Sequence, residues 1–204
     1  SNAELENNIA YIAADPAINE VILSGGDPLM AKDSKLAALA EKIAALPHVK
    51  RLRIHTRLPV VMPSRLDASF YRWFAGLPVQ RVLVLHINHA NEVSAELTEK
   101  LAPLRQAGVT VLNQAVLLKG VNDTADTQAQ LNEKVFAAGI MPYYLHLLDK
   151  VQGAAHFDID VEQAREIMAG VIKRLPGFMV PKLVTEIGGQ PGKTPVDLRL
   201  YPQD

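Results

Sequence analysis

The sequence contains no cysteine at all. That excludes disulfides, thiolate zinc sites and iron–sulfur ligation by residues of this chain. It also has almost no net charge: 21 Lys and Arg stand against 22 Asp and Glu, a formal charge of −1. Nothing in that balance pulls it toward nucleic acid or an anionic membrane, so no nucleic-acid and no membrane partner is expected. No apolar run approaches the roughly twenty residues needed to span a bilayer, and no charged-then-apolar signal segment opens the chain, so a cytoplasmic location is the default expectation. What is present is a chain of 204 residues, 49% hydrophobic and 21% charged, enough for one ordinary soluble domain with a real core. Ser1-Asn2-Ala3 reads as the remnant of a cleaved tag, with the natural sequence over residues 4–204.

The stretch that organises the chain is Glu20-Val21-Ile22-Leu23-Ser24-Gly25-Gly26-Asp27. A short run of strand type stops at two glycines and a carboxylate, then turns through Asp33-Ser34 into an amphipathic helix. Adjacent glycines let backbone amides approach a ligand closely, and Asp27 offers an acceptor for an ammonium or hydroxyl. A plain glycine turn after a strand explains the tripeptide equally well.

From there the same unit repeats. Residues 4–14 are helical in spacing and end at Asp15-Pro16. Strands are expected over 20–23, 52–55, 82–87, 109–118, 141–147 and 183–187, with helices over 34–46, 66–74, 94–107, 124–138 and 161–175 between them. This alternation, without a linker, predicts an α/β fold with a parallel sheet and right-handed crossovers. A doubly wound sheet and a (β/α) barrel both satisfy it. Polar residues favour the barrel: Ser24 to Asp27, His55 to Arg57, His86 to His89, Asn113-Gln114, His146 with Asp149, and Glu186 to Lys193 all fall at or just past strand C-termini. A barrel gathers all such ends at one mouth, whereas a doubly wound sheet gathers only those near its switch point. Six strands fall short of the closed eight, so the expectation is a partial, TIM-barrel-like (β/α) barrel.

Read as residues alone, several candidates stay open. Lys193 lies in a glycine- and proline-rich loop, where a lysine is normally just solvated. Asp149 and Glu186, at neighbouring strand ends, suit a grip on one ammonium, but also an ordinary polar rim, a metal or an acid–base pair. His86 and His89 would point to opposite faces of a strand, poor geometry for chelation, so at least one is structural. His48, His55 and His156 read as solvated or satisfied histidines. Tyr143 and Tyr144 follow a strand into the mouth, one to flank a ring and the other to pack outside.

Ser24-Gly25-Gly26-Asp27-Pro28-Leu29-Met30, His86-Ile87-Asn88-His89-Ala90-Asn91-Glu92, Asn113-Gln114 through Gly120-Val121-Asn122-Asp123, Met141-Pro142-Tyr143-Tyr144 and Gly153-Ala154-Ala155-His156-Phe157 together resemble the lysine 2,3-aminomutase family of radical S-adenosylmethionine enzymes, in collinear order over residues 4–200. Lys150 to Phe157 and Glu186-Ile187-Gly188-Gly189 most resemble the branch that makes (R)-β-lysine for modification of translation elongation factor P. The resemblance implies an isomerase using a [4Fe–4S] cluster, S-adenosylmethionine and pyridoxal phosphate to move an amino group from C2 to C3 of lysine. It implies that Lys193 forms the Schiff base with pyridoxal phosphate. It implies that Asp149 and Glu186 bind the substrate's ε-ammonium, although most members carry aspartate where Glu186 stands. It places Ser24, Gly25, Gly26 and Asp27 on the methionine amino group of S-adenosylmethionine, with His86 and Gln114 near the same cofactor.

The family's three cluster cysteines lie on a loop upstream of a segment like residues 4–14. The resemblance therefore implies a C-terminal part of a longer protein, lacking the first strand and cluster loop and inactive by itself, with a pyridoxal-phosphate lysine loop near 186–195. A missing first strand would leave a sheet edge open and favour a homodimer. Two other readings stay open: a pyridoxal-phosphate barrel enzyme without radical chemistry, racemase-like, and a non-catalytic ligand-binding fragment.

Overall fold

The computed structural model describes residues 2–149 and 155–200; Lys150 to Ala154 of the resemblance motif lie outside the described residues. The chain divides into two compact units, one of Ser1–Leu85 with Ala95–Val111, the other of His86–Ser94 with Leu112–Asp204.

The first unit opens with helix α1 (Asn2–Ala14), then strand β1 (Glu20–Leu23), helix α2 (Asp33–Ala44) and strand β2 (Arg51–Thr56). β1 pairs in parallel with β2, and β2 in parallel with β3 (Gln80–His86), so that Glu20 stands opposite Arg51 and Thr56 opposite Leu85. Alternation sets the faces of β2: Leu52, Ile54 and Thr56 are buried, while Arg51, Arg53 and His55 are only half-buried on the opposite face. α2 buries Leu36, Ala40 and Ile43, spaced one helical turn apart, with Asp33 in its first turn and Lys42 in its last, as the helix dipole favours. Helix α5 (Ala95–Gln106) buries Leu97, Leu101 and Leu104 by the same spacing.

The connection from β2 to β3 departs from the single helix expected over 66–74. A short helix α3 (Leu58–Val61) comes first, then α4 (Ala68–Phe70), which widens into a π-helical turn, Tyr71–Ala75. The late start has a local cause: the Asp67 side chain accepts the Phe70 N–H at 2.9 Å and so fixes the helix N-terminus at Ala68. The wide turn allows Phe70, Trp73 and Phe74 to pack together, with Phe70 5.4 Å from Trp73 and 5.2 Å from Phe74. It also lets the Trp73 indole N–H reach Asp33 at 2.9 Å.

The second unit carries β4 (Thr110–Val116) from Leu112 on, helix α6 (Ala125–Ala137), β5 (Met141–His146), helix α7 (Val161–Ile172), β6 (Lys182–Thr185) and β7 (Thr194–Pro195). β4, β5 and β6 are parallel neighbours in sequence order. β7 was not expected from the sequence; it folds back antiparallel on β6, with Val184 opposite Pro195 and Thr185 opposite Thr194. For that reason β6 ends at Thr185, short of the expected Ile187. α6 begins at a capping box in which the Thr124 and Thr127 hydroxyls each accept the other's backbone N–H, at 3.1 and 3.2 Å.

Buried amides hold the segment after His86 in place. Asn113 is 2% exposed; it accepts the Ile87 N–H at 3.0 Å and donates to the Ile87 carbonyl at 3.1 Å. Asn122, fully buried, donates to the Asn88 and Val116 carbonyls at 2.8 and 2.9 Å and accepts the Leu118 N–H at 2.7 Å. Backbone groups that would otherwise be buried without partners are satisfied this way.

Candidate active site

In the first unit the loop Ser24 to Asp27 leaves β1 through Gly25, whose φ of +101° lies in the left-handed region that glycine adopts without strain. Open space lies where a Cβ would stand at Gly25 and Gly26. Asp27 does not present the free acceptor expected of it. Its Oδ1 accepts the Leu29 N–H at 3.0 Å and the Thr56 hydroxyl at 2.6 Å, and its Oδ2 accepts the Arg57 and Leu58 N–H groups at 2.7 and 2.9 Å. The physical reason is that two loops with exposed amides converge on one carboxylate, which has about four lone-pair sites to offer. Burial pushes the Asp27 carboxyl up, but the bonds from Thr56, Arg57, Leu29 and Leu58 outweigh it and hold the group below the usual carboxylate range. Asp27 thus shapes the loop, and the backbone of Ser24, Gly25 and Gly26 is the surface left to a ligand.

In the second unit the register sets Gln114 opposite Tyr144, and Val116, His146 and Val184 across from one another on β4, β5 and β6. Gln114, Tyr144 and His146 therefore share one face of the sheet. A bulge between Asn113 and Gln114 skips Tyr143 in the pairing. As a result the two tyrosines do not point to opposite sides as expected: their rings stack at 3.8 Å with 31° between planes. His146 meets the edge of Tyr144 at 5.6 Å and 80°.

The β6–β7 hairpin brings its two loop ends together, and there the Lys193 ammonium donates to the Glu186 carboxylate. The bond from Lys193, and then its charge, hold the Glu186 carboxyl below its ordinary range. Asp149 lies in the same group. Around His146 stand Lys193, Asp149, Glu186 and His86, and burial followed by the Lys193 charge pushes the His146 imidazole below its ordinary pKa despite the two carboxylates. His146 is 6% exposed, and its Nε2 is buried without a hydrogen-bond partner among the described residues. Sequence reasoning set it at the mouth with Asp149 but gave it no role of its own. A polar residue at the last position of an otherwise apolar strand was the available signal.

The other histidines fall as their chemistry suggests. The His89 Nδ1 accepts the Asn91 N–H at 3.2 Å and so caps a short 3₁₀ turn, with Glu92 answering the Asn88 and His89 N–H groups at 2.8 and 2.9 Å. His48 contacts the Ile12 carbonyl at 3.0 Å, and His156 is exposed against Phe157. Among the described residues no group of three His, Asp or Glu side chains could hold a metal ion.

No family model matches the chain. Curated relatives do. The chain is 54% identical to the L-lysine 2,3-aminomutase of Escherichia coli over 96% of its own length and 57% of that protein's. It is 52% identical to the L-lysine 2,3-aminomutase of Haemophilus influenzae over 90% of the chain and 54% of that protein. The chain thus spans little more than half the length of these relatives. Among solved structures, Streptococcus suis SuiB matches with a TM-score of 0.63 at 17% identity, over 90% of this chain and 43% of that one. A radical SAM methyltransferase from Sphaerobacter thermophilus matches with a TM-score of 0.57 at 16% identity, over 83% of this chain and 52% of that one. At such identities the likeness speaks of the fold, which is α/β and of partial-barrel type. By sequence, the chain is similar over nearly its whole length to L-lysine 2,3-aminomutases.

Proposed function

We propose that the complete protein is an L-lysine 2,3-aminomutase, an isomerase that moves the amino group of lysine from C2 to C3 and yields β-lysine, in line with its curated relatives. The observation that carries this reading is the gathering of Lys193, Glu186 and Asp149 around His146 in the second unit. An amine able to take an aldehyde covalently stands there beside two carboxylates able to hold a substrate's ammonium.

The residues fit the cofactors of the family. Lys193, half-buried on a hairpin loop of the second unit, would hold pyridoxal phosphate, and in the first unit the open backbone of Ser24 to Gly26 would hold S-adenosylmethionine. Bound pyridoxal phosphate supplies an electrophilic carbon for amines, and S-adenosylmethionine with a reduced [4Fe–4S] cluster supplies a carbon radical. The chain's own part is positional. Asp149 and Glu186 bind the far ammonium of lysine and so measure its length, Lys193 gives up and takes back a proton on Nζ, and Tyr144 and His146 close one side of the pocket to water.

Further parts of the reading are a cytoplasmic location, β-lysine destined for translation elongation factor P, and a homodimer. Among the described residues no helix is long and apolar enough to cross a membrane. The outer edge of β1 meets no strand among the described residues, and such an edge favours pairing between copies.

The test is turnover by the complete protein, prepared without oxygen and with its cluster rebuilt, given L-lysine, S-adenosylmethionine, pyridoxal phosphate and a reductant. β-Lysine from the natural protein and none from Lys193→Ala is the expected result. S-adenosylmethionine cleavage with lysine returned unchanged would end the substrate assignment.

A further inference from the structure

A buried imidazole nitrogen without a hydrogen bond is costly, and such a group in a native fold calls for a partner that arrives later. The His146 Nε2 is one, with no partner among the described residues. It sits at the end of β5 on the face shared by Gln114 and Tyr144, and the Tyr144 ring meets it edge to face at 5.6 Å, which fixes the plane of the imidazole. Among the described residues, the charged groups around it are Asp149, Glu186 and Lys193, with His86 a further titratable neighbour. The imidazoles aside, these two carboxylates and one ammonium leave one negative charge unbalanced among the described residues. A single further cation would balance it.

We propose that His146 determines specificity: its Nε2 accepts a hydrogen bond from the side-chain ammonium of the amino-acid substrate, beside Asp149 and Glu186. This rests on the aminomutase reading above. An ammonium has three N–H groups, and two carboxylates with one neutral acceptor match them. A third carboxylate in this place would repel the other two, whereas an uncharged imidazole adds an acceptor without adding charge. The geometry requires the tautomer with its proton on Nδ1. An amino acid with the same carbon chain but no terminal ammonium leaves the Nε2 dry and unpaired, which is what rejects it.

The test uses the complete, cofactor-loaded protein with His146→Leu and His146→Gln. Leucine removes the unpaired nitrogen and keeps apolar packing; glutamine restores an acceptor near the same point. Expected for His146→Leu are an unfolding temperature unchanged or raised, a KM for L-lysine raised about ten- to a hundred-fold, and kcat little altered. His146→Gln is expected to recover most of the loss in KM. Independently of turnover, the ring nitrogen resonances of His146 in selectively labelled protein should move on adding L-lysine and not on adding L-norleucine. An unchanged KM in a folded His146→Leu protein, or resonances that respond alike to both amino acids, would overturn the assignment while leaving the aminomutase reading intact. If the natural protein makes no β-lysine, that reading fails and the assignment falls with it. Should His146→Leu fail to fold, the glutamine variant and the resonances decide.

Discussion

The ammonium of Lys193 is held by the carboxylate of Glu186 across the mouth of the β6–β7 hairpin. The two residues assigned to the cofactor and to the substrate's far end therefore occupy each other, and Lys193 must leave Glu186 to react elsewhere. Because the pairing lowers the Glu186 pKa, its contribution is present above the ordinary carboxylate range and is lost as pH falls through the lowered value. In a carboxyl-carbon NMR titration, the Glu186 midpoint should rise in Lys193→Met. An unmoved midpoint would mean that the pair is not formed in solution.

Asp27 joins the loop after β1 to the loop after β2. Asparagine there keeps one acceptor and turns an NH₂ toward backbone N–H donors, so Asp27→Asn should cost about 2–4 kcal/mol in urea unfolding at neutral pH. The Asp27 pKa is depressed in the fold, so the natural protein's advantage should be full above the ordinary aspartate range and shrink as pH falls through the lowered value. Equal stability of the two proteins at pH 7 would refute this account of the loop.

Asn122 satisfies two carbonyls and one N–H that have no water to turn to. Asn122→Ala should therefore lose about 3 kcal/mol, more than a typical surface change, and should speed hydrogen exchange at the Leu118 amide. Thermal unfolding and exchange measured on one sample would check both.

Gly170, in α7, lies where a Cβ would come within 2.6 Å of the Ala125 Cβ at the start of α6. Gly170→Ala should cost about 1–3 kcal/mol through overpacking despite alanine's better helix propensity. Ala125→Gly added to it should return part of that loss, an interaction a double-mutant cycle measures directly. Additive effects would show that the helices can separate at no cost.

Much of the frame was legible in the chain. Apolar spacing marked α2, α5, α6 and α7, and the strand-terminal polar residues marked where chemistry would gather. That second signal was mixed. Asn113 and His89, read as residues at the mouth, turn out to be a buried clamp and a turn cap. A polar side chain at a strand end looks the same in sequence whether it faces a ligand or its own backbone. Tyr143 and Tyr144 failed for a related reason, since a bulge resets the alternation on which the two-sided reading relied.

What the sequence by itself determined is the succession of elements and the likeness to L-lysine 2,3-aminomutases, because periodicity, caps and turn residues act over a few positions and identity adds up along the chain. Tertiary structure alone decided which side chains meet. β7 is a Thr-Pro pair too short to read as a strand, yet its pairing with β6 sets Lys193 on Glu186. Likewise the Nε2 of His146 is orphaned only by what packs around it, and burial arises from contacts between residues far apart in the chain.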